Sequence, residues 1–299
     1  LKSIRKKLIC LHRCQGITRR TVAKMLHYDP SLKNLYNLSS SQLSKHFSIP
    51  QKNAQQLYTD LHNQQFYDKI KQDLAQYTVL TIVDENYPPV LKTIKDPPLV
   101  LYAFGDTSLL HHRPALSVIG TRAPSQNAFA KMDCILKTLI QEKWLIVSGM
   151  AQGIDSYAHQ LALQYFGKTI AVLGGGFDHI YPKQNTALFH QIVSKGLILS
   201  EYTPSTPPKR FHFPERNRII SGLSFGTLVI EATERSGTLI TVDQALDQGR
   251  EVYAVPDSPL LPQTKGCHRM IQDGAKLVHD ASDIVEDWEY LKRFTAIST

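Results

Sequence analysis

Residues 144–176 run WLIVSGMAQGIDSYAHQLALQYFGKTIAVLGGG. Two apolar, β-rich runs, Trp144–Ser148 and Thr169–Leu173, bracket a longer amphipathic segment that opens after Gly153, and each run gives way to small residues. Neither run alternates apolar with polar residues. Unbroken apolarity predicts strands covered on both faces, which is the condition of a parallel sheet whose crossovers are helices. The same texture extends outward, with further runs at Thr78–Val83, Leu99–Phe104, Leu116–Gly120, Leu197–Ser200, Thr227–Ile230 and Glu251–Val255. The expectation is an α/β domain over residues 76–290, a mostly parallel sheet with helices on both faces.

Residues 1–75 differ: they are rich in Lys, Gln, Ser and Leu, with Leu8, Leu11, Val22, Met25 and Leu26 at helical spacing, and predict a small all-helical N-terminal domain. Within it, Gly16-Ile17-Thr18 before a basic helix reads either as half of a helix-hairpin-helix or as a plain turn between packed helices. The Pro-rich piece Tyr87–Pro98 predicts an irregular connector. A short helix, Ile284–Tyr290, closes the domain, and 291–299 form a C-terminal tail.

The chain of 299 residues is 42% apolar, enough for two packed cores. No stretch approaches the roughly 18 apolar residues of a membrane span, and the basic start Lys2–Lys7 leads into a helical pattern instead of an apolar leader. Cys10, Cys14, Cys134 and Cys267 are scattered, with one C-x3-C spacing and no second pair, so neither a zinc site nor a disulfide framework is expected. Unpaired thiols suit the cytoplasm. A net charge of +8 makes polyanions plausible partners.

In an open parallel sheet, ligands sit beyond the carboxyl ends of the strands. There the chain carries Gly120-Thr121-Arg122, then Ser148-Gly149-Met150-Ala151-Gln152-Gly153, then Gly174-Gly175-Gly176. Tight turns need glycine, yet glycine also admits a phosphate to the amides of a helix N-terminus, so Gly120, Gly149, Gly153, Gly174 and Gly175 are candidate cradles. Ser236, Gly237 and Thr238 open another helix, where they either cap it or grip a phosphate.

The strongest local signal is PKRFHFPERNR at 208–218, four cations interleaved with two phenylalanines and a histidine. Cations neutralise phosphates and aromatic faces stack unpaired bases, which is the composition of a single-strand-binding loop. Phe211 and Phe213 alternatively pin the loop to the core, and Arg216 or Arg218 alternatively pairs with an acid. Lys183 ends a loop on the same edge. His159 and Asp155 read as structural, the first a buried hydrogen-bonding histidine and the second a helix brace. No H-E-x-x-H or G-x-S-x-G pattern occurs, so no metal site, cofactor or catalytic residue is assigned.

Taken in order, G-T-R (120–122), S-G-M-A-Q-G-I-D with His159, T-I-A-V-L-G-G-G with Y-P-K-Q-N, L-S-E-Y, F-P-E-R-N-R-I-I-S-G-L-S, S-G-T-L-I-T, G-R-E-V-Y-A-V-P and G-C-H-R-M-I-Q-D-G-A-K-L-V resemble DNA-processing protein A, also called Smf, over about residues 80–280. The resemblance implies an extended Rossmann-like domain that binds single-stranded DNA, forms a homodimer and loads RecA recombinase during natural transformation. It implies a sterile-alpha-motif-like helical domain at 1–75; many members of the family also carry a C-terminal winged-helix module, for which the residues after Tyr290 are expected to leave no room. It places DNA-contacting cations at Arg122, Lys183 and Arg210, a stacking aromatic at Phe213, and Arg216, Asn217 and Arg218 beside them. Asn127-Ala128 and Pro256-Asp257 depart from the family's usual Tyr-Gly and Pro-Gly.

Two rivals belong to the enzymes. A nucleoside-monophosphate phosphoribohydrolase would need carboxylates where Ile240 and Thr241 stand. A dinucleotide-dependent oxidoreductase would need a third glycine where Asp178 and His179 stand.

Overall fold

The computed structural model describes residues 3–297. They form two compact units, one running to residue 87 and including 98–102, the other of 88–97 and the described residues from 103 on.

The first unit holds α1 (Ile4–Arg13), α2 (Arg19–Tyr28), α3 (Ser40–Phe47), α4 (Gln51–Leu61), α5 (Gln64–Gln76) and strand β1 (Thr78–Thr81). Leu8, Leu11, Val22, Met25, Leu43 and Leu57 face its core. Helix starts are fixed locally: Thr18 and Ser39 each accept the amide three residues on, while the side chains of Thr21 and Gln42 return the bond to the cap's own amide. Gly16 turns the chain between α1 and α2 at φ +78°, with the Asn53 backbone pressed against it. The plain-turn reading fits this packing.

A single helical turn, α6 (Pro89–Lys92), interrupts the expected irregular connector, and β2 (Val100–Gly105) runs from the first unit into the second. The second unit then alternates β3 (Ala115–Ile119), α7 (Ala128–Gln141), β4 (Leu145–Ser148), α8 (Ile154–Gln164), β5 (Lys168–Leu173), α9 (Thr186–Lys195) and β6 (Leu197–Ser200). It continues with α10 (His212–Gly222), β7 (Gly226–Val229), α11 (Thr238–Asp247), β8 (Glu251–Ala254), α12 (Lys265–Gln272), β9 (Lys276–Leu277) and α13 (Ser282–Ile297). Its strands lie in the order β6-β5-β4-β3-β7-β8-β9. All six pairings are parallel, with Ser117 of β3 opposite Val147 of β4 and Thr227 of β7.

Every residue of β3 and β4 is buried, as unbroken apolarity requires. Leu116, Val118, Ile146 and Leu228 point one way, into a core with α7 and α8 that Trp288 of α13 packs against. Ser117 points the other way and donates to the Ile220 carbonyl of α10 at 2.8 Å, so helices cover both faces. One expectation changes and one strand is new. The last helix continues past Tyr290 to Ile297, through a stretch without Gly or Pro to stop it, so the segment taken as a tail is largely helical. The two-residue β9 gave no apolar run to read.

Candidate nucleic-acid interface

From β3 the chain runs outward to β4, β5 and β6 on one side and to β7, β8 and β9 on the other. This reversal opens a crevice beyond the carboxyl ends of β3 and β7. It holds a cavity of about 590 Å³, walled by Arg122, Asp155, Arg210, Phe213, Thr238 and Thr241 among others.

Phe213 sits in the first turn of α10, half-buried. The ring of Tyr181 lies 5.6 Å away at 46°, and the Arg122 guanidinium is 5.6 Å from the Phe213 centroid, within cation–π range. Arg122 and Arg210 are exposed at the cavity, with no ion pair among the described residues. Lys183, also exposed, begins a short 3-10 turn two residues from Tyr181 and stands outside the lining. The structure therefore brings Arg122, Arg210 and Phe213 to one cavity, while Lys183 lies two residues along the chain from Tyr181 of its lining.

Arg216, Asn217 and Arg218 divide. Arg216 is buried at the cavity floor, donating to the carbonyls of Gly149 at 2.7 Å and Val172. Burial draws its pKa down to about 10, with the Asp155 carboxylate opposing the drop, so it stays charged at neutral pH. Asn217 lines the cavity and accepts from Arg216 Nε at 3.2 Å. Arg218, expected beside the DNA, is placed elsewhere: it is buried, and its Nη2 donates to both oxygens of Glu201 at 2.8 and 2.6 Å. A guanidinium neutralised by a buried carboxylate offers no charge to a phosphate.

Most of the strand-end glycines are small because the protein itself fills the space. A Cβ would come within 2.6 Å of the Arg216 guanidinium at Gly149, 2.8 Å of the Phe213 ring at Gly174 and 3.1 Å of Pro208 at Gly175. At Gly120 it would meet Ile154 at 2.7 Å, and at Gly153, where φ is +84°, the Thr121 carbonyl at 2.6 Å. These are packing sites and not open cradles. Gly237 differs, with nothing within 4 Å of a Cβ there. Its loop, with the Ser236 hydroxyl accepting the Thr238 amide at 3.1 Å, lines the cavity.

Sequence reading missed the support beneath Arg122. Glu231, fully buried, accepts from the Ser125 amide at 2.8 Å, the Ser125 hydroxyl at 2.5 Å and Lys131 Nζ at 2.7 Å. Lys131 also reaches Asp257 at 2.7 Å, so the acid that replaces the family's usual glycine completes this network. The Thr121 amide donates to the Glu231 carbonyl at 2.8 Å, tying the Gly120-Thr121-Arg122 loop to β7. A glutamate ending an apolar run was the sole hint. His159 is the buried structural histidine expected, its Nδ1 2.6 Å from the Thr169 hydroxyl, and burial holds its pKa near 3. Asp155 both braces α8 and walls the cavity; burial raises its pKa to about 6 against the pull of Arg216.

The family model described as DNA recombination-mediator protein A matches residues 78–289. The DNA processing protein DprA of Bacillus subtilis is 44% identical over 229 residues, 75% of this chain and 77% of that protein. The X-ray structure of DNA processing protein A from Streptococcus pneumoniae is similar at a TM-score of 0.82 and 36% identity, covering 94% of this chain and 96% of that one. The structure of DNA processing protein A from Helicobacter pylori, described for its single-stranded DNA binding mode, gives a TM-score of 0.65 at 29% identity over 72% of this chain and 96% of that one. Fold and sequence agree: the chain belongs to the DNA recombination-mediator protein A family, the DprA/Smf proteins.

Proposed function

We propose that this protein holds single-stranded DNA in the crevice at the β3–β7 reversal and acts as a recombination mediator by holding it, without turning over a substrate. The observation that carries this reading is the half-buried Phe213 ring beside the unpaired guanidinium of Arg122, with Arg210 on the same cavity. Arg122, Lys183 and Arg210 take phosphates, and Phe213 takes the face of a base. A subunit then covers about six nucleotides. Family membership supports the reading, as does the binding mode described for the Helicobacter pylori relative.

The same membership supports RecA recombinase as the partner loaded onto the strand in natural transformation, a homodimer, and a cytoplasmic location; no helix among the described residues is long and apolar enough to cross a membrane. Two linked crevices would raise the effective concentration at the second. A dimer-breaking variant that binds long DNA as tightly as the parent would refute that part. The hydrolase rival loses ground because Asp155 is the sole carboxylate among the lining residues, and it is engaged with backbone amides and Arg216.

Fluorescence anisotropy with labelled oligo-dT and matched duplex tests the proposal. The parent should prefer oligo-dT, and Arg122→Ala, Arg210→Ala and Phe213→Ala should each lose that binding. Equal binding by parent and variants would reject the crevice as the site.

A further inference from the structure

We infer that the exposed face of α2, in the helical unit, is a second DNA-binding surface, one that takes the backbone of duplex DNA.

Residues 1–87 hold thirteen Lys and Arg against six Asp and Glu, so +7 of the chain's +8 resides there. The acids of this unit are mostly engaged internally. Asp84 pairs with Arg5 at 3.0 Å, Asp73 with Arg13, and Asp68 with Lys71 at 3.1 Å. Asp29 accepts from the amides of Ser31 and Asn34, and Asp60 from the Gln15 amide and the Gln56 side chain. Arg20, Lys24, Lys33, Lys45 and Lys52 are exposed, with no ion pair among the described residues.

Arg20, Lys24 and His27 recur at the i, i+4, i+7 spacing that puts them on one side of α2. All three are exposed, as is the small Ala23 between them, while Val22 and Met25 face the core. Tyr28 ends the stripe, 57% exposed, its ring 5.5 Å from His46 on α3, next to Lys45. Protein partners are gripped by clustered apolar and aromatic anchors, and this face offers cations around an alanine with a single aromatic, Tyr28, at its end. Phosphate backbones take such a face. Duplex is favoured over single strand because no row of aromatics stands between the cations to stack unpaired bases. A helix about 10–12 Å across also matches a major groove about 12 Å wide.

The test uses the full chain with two probes, a blunt duplex and oligo-dT, over a salt series. Arg20→Glu/Lys24→Glu should weaken duplex binding by at least about tenfold and flatten its log K against log salt slope by about two. Its oligo-dT affinity should stay within about twofold of the parent's. Arg20→Lys/Lys24→Arg, which keeps the charge, should retain duplex binding. Phe213→Ala should show the converse pattern. A parent that does not bind duplex, or a doubly reversed variant that binds it unchanged, overturns the inference and leaves an acidic protein as the partner to seek. A parent that binds duplex through α2 but fails with oligo-dT would sustain this inference and sink the crevice reading.

Discussion

At Gly174 a methyl group would stand 2.8 Å from Cδ1 of Phe213, so the ring keeps its place only because the residue beneath it has no side chain. Gly174→Ala should therefore push the ring off its seat and weaken oligo-dT binding toward the level of Phe213→Ala, a stacking loss worth about 1–3 kcal/mol, read by anisotropy. Two buried titratable groups make opposite demands. Asp155 has its pKa raised to about 6 from 3.8, so the folded state holds the proton more tightly and stability falls as pH rises through that window. His159 has its pKa lowered to about 3 from 6.5, so the unfolded state holds the proton more tightly and stability falls as pH drops through that window. Denaturation curves across pH 3–8 should show Asp155→Asn gaining on the parent as pH rises from about 4 to 6, and His159→Gln gaining as pH falls from about 6.5 to 3.

Among the elements, α10 does most to assemble the site: it carries Phe213, Arg216 and Asn217 toward the cavity and Arg218 away from it. Glu201, just past β6, fixes that helix through its buried pair with Arg218. Glu201→Ala leaves the buried Arg218 guanidinium with only the longer Asp96 pair, at 3.9 Å from its Nε, and should cost about 3 kcal/mol in urea unfolding. The alternation of strands and helices was legible because apolar runs and helical periodicity are local in sequence. The sorting of 216–218 was not, because three adjacent polar residues on one helix turn face three different surroundings, and sequence carries no record of which carbonyl or carboxylate each one meets. The network of Ser125, Lys131, Glu231 and Asp257 was hidden for the same reason, each bonded pair in it joining residues 100 or more positions apart.

For the whole molecule, charge and site are separated along the chain. Residues 88–299, which hold the crevice, contribute only +1 of the +8, so the binding proposed there would depend on a few placed cations and not on a general field. With Arg122, Lys183 and Arg210 each on a phosphate, log K for a short oligo-dT should fall with log salt at a slope of about −2, and each alanine substitution should flatten it by about 0.7. The sequence by itself determined the parallel α/β architecture, the helical N-terminal part, the family, and the meeting of Arg122, Arg210 and Phe213 at one edge, since strand ends of a parallel sheet gather on the same side. Only the tertiary structure decided that Arg216 and Arg218 are buried and that most of the strand-end glycines make room for the protein's own side chains and backbone. Both depend on what lies across the space from a residue, and that is fixed by packing between segments far apart in the chain.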